Sequence, residues 1–304
     1  MSLRGGRQPD EAISNRQAEA ARGEIAHLPH LHCDVRSAAQ VWRAVPGSGE
    51  YALATTCEST LRRPWEPPDL LTKRSYNLRM ATLEHALAKL HAHAHPDQLA
   101  GMAKFGIVGD ERLGLSVPEM RKIAKELKRD HSLALALWDT GIPEAMMVAS
   151  MIDDPKQLTE AQMDDWVEDF MSWDVCDQVC GNLFDKSPLA WKKVTEWSTR
   201  EEEFVKRAAF ALIAYLAWHN KTSPDEKFTA LFPLIERAAT DARNFVKKAV
   251  NWALRGVGKR NRALNAASIE MAGKLAQMDS KSARWIASDA LRELTGDAVQ
   301  KRLG

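Results

Sequence analysis

The chain has 304 residues, of which 45% are hydrophobic and 27% charged, with a formal net charge of +1. That length and apolar content allow one substantial core or an extended layered one. The near-neutral balance excludes a globally basic polyanion binder, so any such binding has to come from local segregation of charge. Cys33, Cys57, Cys176 and Cys180 form neither a disulfide framework nor a CxxC metal pair, which points to a reducing compartment and the cytoplasm. No apolar run approaches the roughly 20 residues of a membrane span, and the N-terminus has no apolar signal region.

Residues 1–79 have scattered Gly and Pro, the cluster RRPWEPPDLL at Arg62 to Leu71, and no sustained apolar periodicity. This head reads as mostly disordered or weakly structured, with one short helical piece at Asp10 to Arg22. Met80 opens a good helix, so a start at Met80 is an alternative reading of the gene. From there to Gly304 helical patterns follow one another with short breaks, and the strand signals of β-branched alternation and Asn-Gly turns are missing. Residues 80–304 therefore form a separate all-α domain.

Its expected helices are Ala81 to Ala94, Pro96 to Lys104, Ser116 to Leu127, Ser132 to Thr140, Pro143 to Ile152, Glu160 to Phe170 and Trp173 to Phe184. They continue at Ala190 to Ser198, Glu203 to Trp218, Glu226 to Ala239, Asp241 to Leu254, Leu264 to Leu275 and Ser280 to Leu294. Ser116 with Glu119 makes a capping box with Pro118 in the first turn, and Thr159 and Asp241 are further expected N-caps. Helices of this length paired through tight turns suggest a stacked HEAT- or armadillo-type solenoid, curved and with a concave face.

Segments within this pattern carry chemistry. In Met171 to Cys180, Trp173 and Asp177 are four residues apart and share a helix face, beside an apolar stripe of Cys176, Val179, Cys180 and Leu183. Asp174 or Asp177 could equally serve as a carboxylate at the helix N-terminus. Arg207 opens a helix that is apolar on nearly every side, so its guanidinium needs a carboxylate, a phosphate or the solvent; Asp177 is one candidate, and a plain buried ion pair is the structural alternative. From Asn244 to Arg262, Val246, Ala249, Val250, Ala253 and Val257 form an apolar stripe at about 100° per residue. Trp252 falls outside it among Lys248, Arg255 and Lys259. Cations with a flat ring suit phosphates and bases, although packing of that Trp on a neighbouring helix would also explain it.

These segments, in this order, resemble the AlkD-type DNA glycosylases, the HEAT-like-repeat family of DNA alkylation repair enzymes. The resemblance runs from about Met80 to Leu303. It rests on Lys104-Phe-Gly-Ile with Leu113-Gly-Leu-Ser-Val-Pro-Glu-Met-Arg121, Gly141-Ile-Pro-Glu-Ala-Met with Ala149-Ser-Met-Ile-Asp-Asp-Pro155, Ser172-Trp-Asp-Val-Cys-Asp177, Lys206-Arg-Ala-Ala, and Phe245-Val-Lys-Lys-Ala-Val-Asn-Trp-Ala-Leu-Arg255. It implies a solenoid gripping duplex DNA in its concave face and excising cationic N3- and N7-alkylated purines by hydrolysis, without flipping the base. The cleft tryptophans would be Trp173 and Trp252, the carboxylate Asp177, the arginine Arg207, and a backbone-contacting arginine Arg255. Lys206, Lys247, Lys248, Lys259 and Arg260 complete the expected DNA-contacting set. The expected partner is double-stranded DNA carrying alkylated purines, bound by a monomer associated with the nucleoid. The alternative is a non-catalytic repeat protein that binds distorted or branched DNA.

Two departures stand out: an aromatic near Gly101-Met102-Ala103 is absent, and the loop His219 to Glu226 is long. No cofactor is called for, since P-loop, dinucleotide, Ser-elbow and HExxH patterns are missing. The histidines His91, His93 and His95 sit at a helix C-terminus, where the dipole favours them, and those at His27, His30 and His32 with Cys33 fit no zinc spacing. Neither group is expected to hold a metal.

Overall fold

The computed structural model describes residues 82–304, and the backbone of Trp42–Ala44 and Tyr51–Leu53. The chain divides into two units, Met1–Glu66 and Pro67–Gly304. In the first, the strands β1 (Trp42–Ala44) and β2 (Tyr51–Leu53) form an antiparallel pair with Arg43 opposite Ala52. This hairpin was not anticipated, because three-residue strands offer too few positions for an alternation to register. The expected helical piece at Asp10 to Arg22, the RRPWEPPDLL cluster, His27, His30, His32, Cys33 and Cys57 lie outside the described residues.

The second unit is a stack of helices. Helical backbone runs over 82–92 (α1), followed by a 3-10 turn at Pro96–Gln98 that leads into α2 (Leu99–Ala103). Then come α3 (Val117–Leu127), α4 (His131–Trp138), α5 (Pro143–Ile152), α6 (Glu160–Glu168), α7 (Trp173–Asn182), α8 (Ala190–Trp197) and α9 (Glu203–His219). The remainder are α10 (Asp225–Thr229), α11 (Phe232–Ala238), α12 (Asn244–Gly258), α13 (Arg262–Ala276), α14 (Lys281–Leu294) and α15 (Asp297–Leu303). One layer is built from α3, α5, α7, α9, α12 and α14, each packed on the next. A second layer covers it, with α4 on α5, α8 on α9, α11 on α12 and α13 on α14. This is the repeat geometry of HEAT-like stacks, where each helix pair buries its apolar face only against its neighbours.

Local chemistry sets these boundaries. The capping box forms as expected, with Glu119 accepting hydrogen bonds from the Ser116 backbone N–H at 2.8 Å and hydroxyl at 2.7 Å. Thr159 caps α6 by accepting from the Gln162 N–H. Asp241 does not cap α12. Its carboxylate instead takes the Arg243 N–H and guanidinium, so the helix starts only at Asn244, with Arg243 in the N-cap position. The expected helix Glu226 to Ala239 is divided into α10 and α11, since Pro233 in the first turn of α11 cannot donate into a continuous ladder. A further helix, α15, follows Gly296.

The second layer is held by tryptophans and ions together. The Trp138 and Trp166 rings stack at 3.8 Å and 3°, and the Trp138 Nε1–H donates to Asp169. Lys193 is buried, and its ammonium donates to Glu160, Asp164 and Glu196 at 2.8 Å each, tying α8 to α6. In the first layer α9 is buried through its middle, and α12 lies so close to it that a Cβ at Gly256 would stand 3.3 Å from the Ala214 Cα. Both predicted stripes face inward: Cys176, Val179, Cys180 and Leu183 on α7, and Val246, Ala249, Val250, Ala253 and Val257 on α12, are all buried. Among the described residues no helix is long and apolar enough to cross a membrane.

Candidate functional site

Asp177, one turn into α7, meets Arg207, one turn into α9. The guanidinium donates in fork geometry, Nε to Oδ1 at 2.9 Å and Nη2 to Oδ2 at 2.7 Å. The remaining Nη1 donates to the Phe245 carbonyl at 2.7 Å, at the start of α12. Three successive helices of the first layer thus converge on one arginine through their N-terminal turns. Both partners are largely withdrawn from solvent, with side chains 13% exposed at Asp177 and 7% at Arg207. Burial pushes the Asp177 carboxyl above its ordinary value, while the charge and hydrogen bonds of Arg207 oppose that rise. The two-point contact uses both oxygens as acceptors, so the pair is ionic as it stands, and each oxygen keeps a second lone pair.

Asp174 takes the role at the helix N-terminus. It receives the Arg112 guanidinium at 2.8 Å, and Arg112 also donates to the buried Ser172 hydroxyl and the Val108 carbonyl. Glu144, fully buried, accepts from the Leu113 and Gly114 N–H groups at 3.0 and 2.9 Å. The loop 105–115 is thereby pinned over α5 and α7, and with Asp174 so engaged, Asp177 is left to Arg207.

Trp173 is half-buried beside this pair. The Arg207 guanidinium carbon lies 6.0 Å from its ring centre, and its Nε1–H donates to the Phe105 carbonyl at 3.0 Å. Gly106 permits this approach: its φ is +73°, and a Cβ there would fall 2.6 Å from the Phe245 ring. The Phe105 side chain is 74% exposed at the same place, with Val108 and Met171 also exposed. An exposed aromatic, Phe105, thus stands just beyond the Gly101-Met102-Ala103 stretch that lacks one, and its carbonyl meets Trp173. Large apolar exposure is visible only once a fold exists, which is why the sequence did not single it out.

Trp252 is half-buried and meets the Tyr215 ring edge-on at 5.1 Å and 75°. Tyr215 in turn packs on Gly181, one turn beyond Asp177 on α7. Packing on a neighbouring helix thus accounts for part of the Trp252 surface. Trp173 thus meets the Asp177–Arg207 pair through the guanidinium, while Trp252 reaches α7 one turn beyond Asp177 through Tyr215.

The expected DNA-contacting cations are placed differently from one another. Lys248 is exposed and has no partner among the described residues. Lys247 lies over the Trp285 ring at 4.8 Å. Arg255 and Lys259 share Glu293, Lys259 at 2.7 Å, and Arg255 also has Asp289 at 3.4 Å. Lys206 is drawn toward Asp241 at 3.7 Å and is only 13% exposed. Arg260 donates to the carbonyls of Ala217, Asn220 and Ser223, which holds the long loop after α9 in place. A basic groove that sequence reasoning missed lies elsewhere: Arg121, Lys125, Lys128, Arg129 and Lys186 line a cleft of about 410 Å³. Its signal was the spacing of Arg121 and Lys125 on the solvent side of α3, opposite buried Met120, Ile123 and Ala124, with Lys128 just after the helix. Among the described residues no group of three His, Cys, Asp or Glu side chains is placed to hold a metal. His93 faces the Lys89 carbonyl and His95 faces Glu119.

The paired layers of stacked helices define a HEAT-like helical-repeat protein. The profile of the DNA alkylation repair enzyme family matches residues 86–294, and the chain belongs to that family. Among solved structures it is similar to one described as belonging to a new family of proteins related to the HEAT-like repeat DNA glycosylases with affinity for branched DNA structures. The TM-score is 0.61 at 20% identity, over 73% of this chain and 96% of that one. An engineered protein follows at a TM-score of 0.34 and 14% identity, over 73% and 93%. A designed armadillo repeat protein in complex with a peptide gives 0.29 and 15%, over 73% and 96%. No curated protein sequence matches the chain.

Proposed function

We propose that the protein is a monofunctional alkylpurine DNA glycosylase, acting on duplex DNA without drawing the base into a pocket. The observation that carries this reading is the ionic Asp177–Arg207 centre, with Trp173 against its guanidinium and Trp252 joined to the same helix through Tyr215, in a member of the alkylation repair family. Alkylation at N3 or N7 makes the purine a cation and a good leaving group. When the bond from C1′ to the base nitrogen breaks, its electron pair leaves with the purine and cancels that charge, and positive charge moves to the deoxyribose. Indole faces favour the cationic base before cleavage, and a carboxylate favours the sugar cation as it forms. Water then adds to C1′ and gives up a proton, leaving an abasic site. Asp177 has a spare lone pair on each oxygen with which to position that water, while Arg207 fixes the carboxylate's orientation. The groove of Arg121, Lys125, Lys128 and Arg129, with Lys248, supplies phosphate contacts. The protein would act as a monomer wherever alkylated chromosomal DNA is found.

A second reading draws on the same centre. Both Asp177 oxygens are engaged by Arg207, a state that a purely structural ion pair would also have, and one solved structure of this fold is described as having affinity for branched DNA. The test is incubation of the full chain, in excess, with a duplex carrying one 7-methylguanine, followed by alkaline cleavage at abasic sites. Strand cleavage at the lesion is expected. Salt-sensitive binding with no cleavage would assign the non-catalytic reading instead.

A further inference from the structure

At Trp252 the structure has a cavity of about 530 Å³ between the C-terminal halves of α9, α12 and α15. Trp218, Trp252, Lys221, Lys259, Arg260 and Arg302 line it together with small and apolar residues, and no carboxylate side chain is among the lining residues. The Trp218 indole is 65% exposed, with the His219 ring against it at 4.7 Å. An apolar surface of that size left in water at the mouth of a cavity is a stacking platform without its partner. Lys221 has no partner among the described residues, and Arg302 is exposed and meets only a carbonyl, that of Lys259, at 2.7 Å. Arg260 is fixed by three carbonyls and lies 4.5 Å over the Phe228 ring, so this wall is preformed.

Lys259 is balanced by Glu293, so two indoles with the cations of Lys221, Arg260 and Arg302 select a flat ring carrying an anion, and the volume falls within the several-hundred-Å³ range of small-ligand sites. The cavity is also adjacent to the centre already described: Trp252 forms its wall and touches Tyr215, which packs one turn from Asp177. We propose that this cavity receives a single unpaired nucleotide displaced from a bound duplex, its base stacked on Trp218 and Trp252 and its phosphate on Lys221 and Arg302. The proposal rests on the reading of duplex DNA as the ligand, but it assigns a cavity that shares only Trp252 with the Asp177 centre and takes a normal base rather than a lesion.

The experiment compares binding of the full chain to three duplexes: fully paired, carrying one extra adenine, and carrying one extra abasic residue at the same place. A base that stacks should give about a tenfold preference for the adenine bulge over the abasic bulge. Trp218→Ala should abolish that preference while leaving affinity for the paired duplex unchanged, and Lys221→Ala should weaken both bulged duplexes about threefold. Equal affinity for the two bulges, or a preference that survives Trp218→Ala, overturns the cavity assignment and leaves the duplex reading standing. Failure of the wild-type chain to bind any of the three overturns the duplex reading, and this proposal with it.

Discussion

Arg207 bridges α7, α9 and α12, and its removal would leave the Asp177 carboxylate buried and uncompensated. Arg207→Ala is therefore expected to lower the unfolding free energy by about 3 kcal/mol, the low end of the usual cost of orphaning a buried charge. Urea denaturation measures this, and a change under about 1 kcal/mol would mean that solvent reaches the carboxylate freely. The same pair sets the pH behaviour of excision. Burial already raises the Asp177 carboxyl, so activity needing the carboxylate should fall on acidification above the ordinary Asp range. In Arg207→Lys, which keeps a cation but not the fork, that acid limb should move to higher pH; an unmoved limb would assign it to another group. At Glu119 the sign is opposite. Hydrogen bonds from the Ser116 hydroxyl and N–H, with His95 beside it, lower its carboxyl from 4.5 to about 2. The cap is then fully present above the ordinary value and is lost as the pH falls from there toward about 2. Carboxyl chemical shifts followed through acid would test this, and a midpoint near the ordinary value would show the cap to be open in solution.

At the scale of helices, Lys193 is the clearest dependency. It is buried, yet its carboxylate partners on α6 and α8 are about half exposed, so removing it strands charges that water can partly reach. Lys193→Ala should cost about 2 kcal/mol, less than a fully buried pair would. A loss seen in thermal melts without any change in DNA affinity would place Lys193 in the scaffold; lost affinity would tie the second layer to the site. The positions of α3, α7 and α12 were legible in the sequence because each exposes one face and buries another. The apolar stripes on α7 and α12 and the caps at Ser116 and Thr159 followed directly from spacing. Two boundaries were not legible. Asp241 has the right side chain for a cap, but Arg243 two residues later competes for it, and Pro233 breaks a pattern whose apolar spacing continues through it.

Across the whole molecule, charge that looks uniform along α12 is sorted by its neighbours. Lys248 is exposed and unpartnered among the described residues, whereas Arg255 and Lys259 face Glu293, a residue on α14 that no local pattern could associate with them. The Asp177–Arg207 pair could be suspected from the sequence as one alternative, but its third partner, the Phe245 carbonyl, could not. The cations of α3 have no marker in the sequence beyond helical spacing. Lys248→Ala should reduce the slope of log affinity against log salt by about one, as loss of one phosphate contact does. Arg255→Ala should change it less, its charge being already balanced by carboxylates; equal slopes for the two variants would show that DNA displaces Glu293 from Arg255. The central claim is that Asp177 acts on the glycosidic bond rather than merely holding helices together. The most direct measurement is single-turnover release of 7-methylguanine, identified by mass, by wild type and Asp177→Asn at saturating and equal DNA occupancy. Wild type is expected to release the base and the variant to do so at least a hundredfold more slowly, about the loss expected when one preorganised electrostatic group is removed. Equal rates for the two proteins would contradict that claim.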